Sequence, residues 1–253
     1  MKFNKLKMAV MGALMVPMMP VVAEEAASEW GVSANVGLYS DYVFRGYTQT
    51  VNEPALQGGF DVEHSSGFYA GIWGSNVSWT EEGGAMNHNS VELDVYAGFA
   101  GSFGDSGLGW DVGVLQFFYP GDDIETAAEA DATEVYVSFG YDFGAFSAAL
   151  TNYTVVSNDA WAFSDMDGEN YTHLGVDVPV GDALTLSVGV GHQTFGDSTY
   201  DYTDWKLNAE YAINDTYAVG AFYTDTDMSE TDWTIGSTFL GDDVGGAYLS
   251  ASF

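Results

Sequence analysis

Acidic side chains set the chemistry open to this chain: 37 Asp and Glu stand against 5 Lys and Arg, with 4 His and no Cys in 253 residues. Without cysteine, thiol catalysis, disulfides and iron–sulfur ligation are excluded. Nucleophilic catalysis needs a histidine beside a serine or an acid. Of His64, His88, His173 and His192, only His173 has an acid on the same face of an extended chain, Asp177. A polar lining position accounts for that pair without catalysis, and no enzyme is expected. Asp165-Met166-Asp167-Gly168-Glu169 resembles a fragment of a calcium loop but lacks the full ligand spacing. Asp165, Asp167 and Glu169 are therefore weak calcium candidates, and solvated loop charge explains them more simply. No cofactor is expected beyond calcium or magnesium at such acidic loops, where the metal would bridge to lipopolysaccharide phosphates.

The remaining acids follow a period rather than a cluster. Asp41, Asp61, Glu92, Asp94, Asp111, Glu134, Asp142, Asp177 and Glu210 alternate with apolar residues, as do Tyr96, Tyr136 and the basic Arg45 and Lys206. Strand side chains point to opposite faces in turn, so these residues share the small, polar face of their strands. The clearest stretch is Val91 to Phe103, where Val91, Leu93, Val95, Ala97 and Phe99 face one way and Glu92, Asp94, Tyr96 and Gly98 the other. No helix has that period. The first stretch, Trp30 to Phe44, places Val32, Ala34, Val36, Leu38, Tyr42 and Phe44 on its apolar face. From Phe68 to Trp79 the parity changes midway, which points to a bulge near Gly74. The final stretch alternates Ala247, Leu249, Ala251 and Phe253 with Tyr248, Ser250 and Ser252 and ends on an aromatic, as the closing strand of an outer-membrane barrel does.

Twelve such stretches are joined by six long polar loops alternating with five short turns, which puts both ends on the short-turn side. Aromatics cluster beside the short turns (Trp30, Phe103, Phe143, Tyr211, Phe253). A soluble sandwich explains the alternation but neither the loop asymmetry nor that girdle. The expected fold is all-β: a transmembrane antiparallel up-and-down β-barrel of about 12 strands with periplasmic termini. Lipid-facing backbone must be fully paired, and a closed sheet achieves this. Residues 1–23 read as a signal peptide, with Lys2, Lys5 and Lys7, an apolar run from Met8 to Met15, and a small-residue cleavage site ending at Ala23. Residues 24–253 read as one barrel domain. Cleavage leaves Arg45 and Lys206 as the only basic side chains, so nucleic acid is excluded as a partner.

One set of motifs carries a family resemblance. Ser40-Asp41-Tyr42-Val43-Phe44-Arg45-Gly46 with Thr48-Gln49-Thr50, then Pro54-Ala55-Leu56-Gln57-Gly58-Gly59-Phe60-Asp61, Gly67-Phe68-Tyr69-Ala70-Gly71, Ser75-Asn76-Val77-Ser78-Trp79 and Tyr119-Pro120-Gly121 resemble the TorF-type porins of proteobacterial outer membranes, a Gcw_chp-like family. The strong part spans about the first third of the mature chain. It implies an outer-membrane location and a barrel more firmly than it implies a solute. The closing Ser250-Ala251-Ser252-Phe253 departs from it by lacking the basic residue associated with relatives near that end.

Function follows from which way the faces point. With the polar face inward, rings of carboxylates favour cations over anions, and the small residues Gly37, Gly59, Gly98, Gly113, Gly140, Gly189 and Gly191 favour an open passage over a packed core. The expected function is a porin-like passive channel for small solutes, cation-preferring. The alternative is a non-conducting barrel whose acidic loops serve adhesion, divalent-cation binding or a structural role. Arg45 either marks a constriction or ties a loop to the wall by a salt bridge. Tyr39, Tyr96 and Tyr136 point inward as a stacking surface or as filling. The expected partners are outer-membrane lipid and lipopolysaccharide, the barrel-assembly machinery through the C-terminal strand, and small solutes or cations.

Overall fold

The computed structural model describes residues 29–104, 106–124 and 127–253; the segment read as a signal peptide lies outside the described residues. Six strands open the chain: β1 (Trp30–Tyr39), β2 (Ala55–His64), β3 (Phe68–Asn76), β4 (Val91–Ser102), β5 (Leu108–Phe118) and β6 (Ala132–Asp142). Six more complete it: β7 (Ser147–Val155), β8 (Asn170–Val180), β9 (Leu184–Gln193), β10 (Tyr202–Ala212), β11 (Tyr217–Thr226) and β12 (Val244–Ser252). Each pairs antiparallel with its sequence neighbours, and β12 closes onto β1 with Asn35 opposite Ser252 and Tyr39 opposite Tyr248. The result is a closed barrel of 12 strands with no free edge. Among the described residues no helix is long and apolar enough to cross a membrane.

The faces are inverted relative to a water-soluble protein. Val32, Leu38, Leu56, Leu150, Leu207 and Leu249 are exposed on the outside, while Glu92, Asp94, Asp111 and Glu134 are buried inside. Removing apolar surface from water stabilises a fold, so an exterior band of this composition belongs against hydrocarbon. At the turn end the girdle is built as expected. Trp30, Phe103, Phe143, Tyr211, Tyr217 and Phe253 are exposed, with Phe143 stacked on Phe146 and Trp30 edge-on to Phe68.

Two local expectations fail for one reason. No bulge forms near Gly74: β3 keeps an unbroken register with β2 from Glu63 opposite Tyr69 to Gln57 opposite Ser75. The parity changes because the chain leaves the wall after Asn76 and turns inward into a short helical turn, Trp79–Glu82, with Trp79 buried. Likewise β1 ends at Tyr39, and Tyr42 and Phe44 do not face lipid. They lie inside the barrel. The run Trp233 to Leu240 contributes only a two-residue hairpin, Thr234–Ile235 with Thr238–Phe239, outside the barrel sheet.

Candidate functional site: an inward hairpin across the bore

Residues 40–54 fold into the barrel rather than over its rim. Val43–Phe44 pairs with Tyr47–Thr48 around a two-residue turn, Arg45-Gly46, with both residues at positive φ (46° and 88°). That geometry fits a tight hairpin. Gly46 is required, since a Cβ there would lie 2.5 Å from the Asp204 Cβ and 2.7 Å from the Thr226 Cγ2. Arg45 tolerates the left-handed conformation at a cost of about 1–2 kcal/mol, so something at the tip must offset it.

The offset comes from the far wall. The Arg45 guanidinium donates from Nη1 to Glu134 Oε1 at 2.9 Å and from Nη2 to Glu134 Oε2 at 2.6 Å, and Nη1 also donates to Gln193 Oε1 at 2.7 Å. The Arg45 side chain is 6% exposed and that of Glu134 0%. Its central carbon sits 4.4 Å from the Tyr171 ring centre, 4.7 Å from Phe44, 5.0 Å from Tyr153 and 5.4 Å from Trp161. Burial alone would lower the Arg45 pKa; the Glu134 carboxylate more than offsets this and holds it above its ordinary value. Since β6 lies five strands from β1 round the ring of 12, the hairpin reaches across the bore. The contact itself is a salt bridge that ties the hairpin to the wall.

The rest of the hairpin is fixed by its own chemistry. Asp41 Oδ1 accepts from Thr48 Oγ1 at 2.6 Å and from Thr50 Oγ1 at 2.9 Å, and the Tyr42 hydroxyl donates to Glu92 Oε1 at 2.8 Å. Burial raises the Asp41 pKa, and the two threonine hydroxyls counter part of that rise. The Gln49 carbonyl accepts from Ser78 and Trp79 N–H, while Thr48 N–H donates to the Leu240 carbonyl. Trp161, Phe195, Trp233 and Leu240 from three other loops complete a buried aromatic lid.

Below the lid the inward carboxylates are mostly held by tyrosines. Tyr69 donates to Asp111 at 2.6 Å and touches the Tyr136 hydroxyl; Tyr96 donates to Asp61; Tyr171 donates to Asp204 at 2.9 Å; Tyr248 donates to Glu210 at 3.0 Å. Each of these acids thus has a fixed hydroxyl donor inside the wall. Both oxygens of Asp94, a residue 0% exposed, have no hydrogen-bond partner. Lys206 lies 4.6 Å over the Phe222 ring, and with Asp41, Tyr39, Gln57 and Tyr248 it lines a cavity beside the hairpin. Asp177 and Glu210 are half-buried towards the turn end, and Asp142 is exposed at its rim, where Oδ1 accepts from the Gly144 N–H at 2.7 Å. The bore is thus filled at the loop end, and its acidic side chains grow more exposed towards the turns.

The small lining residues do not open a passage. A Cβ on Gly113 would lie 2.5 Å from the Tyr136 hydroxyl oxygen, one on Gly189 2.5 Å from His173 Nε2, and one on Gly37 2.5 Å from the Tyr39 ring. Tyr171 covers Gly191 and Tyr248 covers Gly220 in the same way. Each glycine is a seat for an aromatic ring reaching across the wall, so the volume it leaves is filled. His173 is buried inside and His192 exposed outside, as parity requires. Asp177 Oδ1 has no hydrogen-bond partner, so Asp177 does not orient His173 through that atom. Asp165 and Asp167 are exposed, Glu169 accepts from Thr194, and among the described residues no three acid or histidine side chains are placed to hold a metal. What sequence reasoning missed were Trp79, Trp161, Phe195 and Trp233. Trp161 and Trp233, large apolar side chains in stretches that read as polar loops, were the available signal, whereas Trp79 reads as part of the third strand.

A closed barrel with an apolar exterior and a charged interior has a porin-like architecture. A family model described as "Bacterial protein of unknown function (Gcw_chp)" matches residues 23–253, and the chain belongs to that family. No curated protein matches it. Among solved structures, a KdgM porin is similar at a TM-score of 0.57 with 8% identity, over 87% of this chain and 98% of that one. A NanC porin gives 0.54 with 11% identity, over 88% and 99%. A mutant of TodX, a monoaromatic hydrocarbon channel, gives 0.50 with 11% identity, over 88% of each. At these identities the likeness speaks for the fold.

Proposed function

We propose that the protein is an outer-membrane channel for small solutes, cation-preferring, drawn here with its loop end closed by the 40–54 hairpin. The observation that carries this is the lining: Glu92, Asp94, Asp111 and Glu134 are buried inside an otherwise apolar-coated barrel, and carboxylates in a narrow low-dielectric bore attract cations and repel anions. The TorF-type motifs and the porin-like fold support the same reading. Export by residues 1–23, periplasmic termini, insertion through β12 by the assembly machinery and acidic loops facing lipopolysaccharide, bridged by calcium or magnesium, belong to it. The test is a planar-bilayer reversal potential under a salt gradient. A potential towards the cation equilibrium value is expected, and anion preference would overturn the selectivity.

A second reading, a non-conducting barrel with a structural or adhesive role, is favoured by the lid itself. The two separate on a variant in which residues 41–53 are replaced by a short Gly/Ser linker. Steady conductance well above wild type supports a gated channel; silence from a folded, heat-modifiable barrel supports the second reading.

A further inference from the structure

The groups that hold Arg45 are built into the wall, not into the hairpin. Glu134 is on β6, Tyr153 on β7, Tyr171 on β8 and Gln193 on β9, on neighbouring strands at the loop end. The Tyr171 ring is seated over Gly191 and its hydroxyl is fixed on Asp204. Trp161 comes from a separate loop, pinned by its backbone N–H to the Ala130 carbonyl at 3.1 Å. Only Phe44 would leave with the hairpin. What stays is a buried carboxylate with its two oxygens in line, a side-chain amide oxygen and three aromatic faces. That set matches a planar guanidinium, which bonds a carboxylate bidentately through its edge and stacks through its face; an ammonium does neither as well.

We propose that this cage is a recognition site for a guanidinium-bearing solute, and that Arg45 occupies it as an internal stand-in. A solute cation and Arg45 compete for one seat, so binding favours the withdrawn hairpin and opens the loop end. This deepens the channel reading and rests on it for its biological sense, but the binding step is measured without conduction.

The experiment uses the folded barrel in detergent with methylguanidinium as probe and methylammonium as the charge control. In Arg45→Ala, methylguanidinium is expected to change tryptophan fluorescence saturably and to raise the temperature at which heat-modifiable mobility is lost. In wild type the half-saturating concentration should be at least tenfold higher, because the bound arginine must first be displaced. There the probe should speed hydrogen exchange at Thr48 and Gln49, whose amides donate to Leu240 and Tyr42. Equal responses to methylammonium overturn the proposal, as does a response that survives Glu134→Gln in the Arg45→Ala background. If Arg45→Ala does not fold, exchange in wild type decides: no acceleration by methylguanidinium overturns it. A bilayer that stays silent while these shifts occur removes the channel reading and leaves the site.

Discussion

Glu134→Gln tests the closed state most directly. The change keeps size and one acceptor but removes the charge facing Arg45, whose two nitrogens lie 2.9 and 2.6 Å from the carboxylate oxygens. Both side chains are almost wholly out of water, so a cation stranded there costs about 3–5 kcal/mol. The three wall and loop rings and Gln193 retain part of the interaction, which favours the lower figure. At about 1.4 kcal/mol per tenfold, the released fraction should rise by roughly two orders of magnitude. Trypsin reads this cleanly, because Arg45 and Lys206 are the only basic residues after Lys7 and Lys206 is inside a wall strand. A bond that becomes cleavable only when the hairpin swings out is cut at a rate following the open population, provided reclosing outruns cleavage. Wild type should resist cutting between Arg45 and Gly46, and Glu134→Gln should be cut about a hundredfold faster while remaining a heat-modifiable barrel. Equal resistance of the two proteins would refute the claim that this ion pair holds the hairpin.

Other perturbations probe the wall and the exterior. Gly113→Ala puts a methyl 2.5 Å from the Tyr136 hydroxyl. Overpacking of this kind costs about 1–3 kcal/mol, so the thermal midpoint should fall, whereas Gly31→Ala, with nothing within 4 Å, should leave it unchanged. Leu150→Arg places a charge on the lipid face at a position 50% exposed; refolding into bilayers should lose about 2–4 kcal/mol if the site lies near the midplane. For Asp41, burial raises the folded pKa above the unfolded one. Its ionised form therefore opposes hairpin seating at neutral pH, and that opposition fades as pH falls through the raised value. Asp41→Asn should slow exchange at Thr48 and Gln49 near pH 7 and remove the part of its pH dependence that comes from protonating this carboxylate.

Strand periodicity was legible because lipid enforces it. From Val91 to Phe99 every second residue must be apolar, and a slip of one residue would expose each acid to hydrocarbon. The hairpin was not legible by the same logic. Tyr42 and Phe44 continue the alternation of β1 past Tyr39, and nothing in a period of two distinguishes an aromatic facing lipid from one facing the bore. Their company was a better guide: Trp79, Trp161, Phe195 and Trp233 all sit in loops on the same side, and each needed somewhere dry to go. The glycines misled for a related reason. Read singly, Gly113 or Gly191 is missing volume; read against the next strand, each faces a tyrosine.

Barrel size makes sense of both features at once. Around eight strands a lumen is filled by its own side chains, and at sixteen or more it holds water. Twelve leaves a bore too wide to close with one layer of residues and too narrow to ignore them. Here the tyrosines, laid over glycines and bonded to carboxylates, build the wall inward without plugging it, and the centre is taken by a separate hairpin entering from one end. A packed core could not be withdrawn without unfolding the barrel. The hairpin is a separate layer, held by the Arg45 ion pair, by hydrogen bonds from Tyr42 to Glu92 and from Thr48 to Leu240, and by the aromatic lid, while β1 and β2 keep their full register from Trp30 opposite His64 to Tyr39 opposite Ala55. The interior is therefore divided between a layer built on the wall strands and a segment inserted between them, and the one arginine of the chain lies at the boundary between the two.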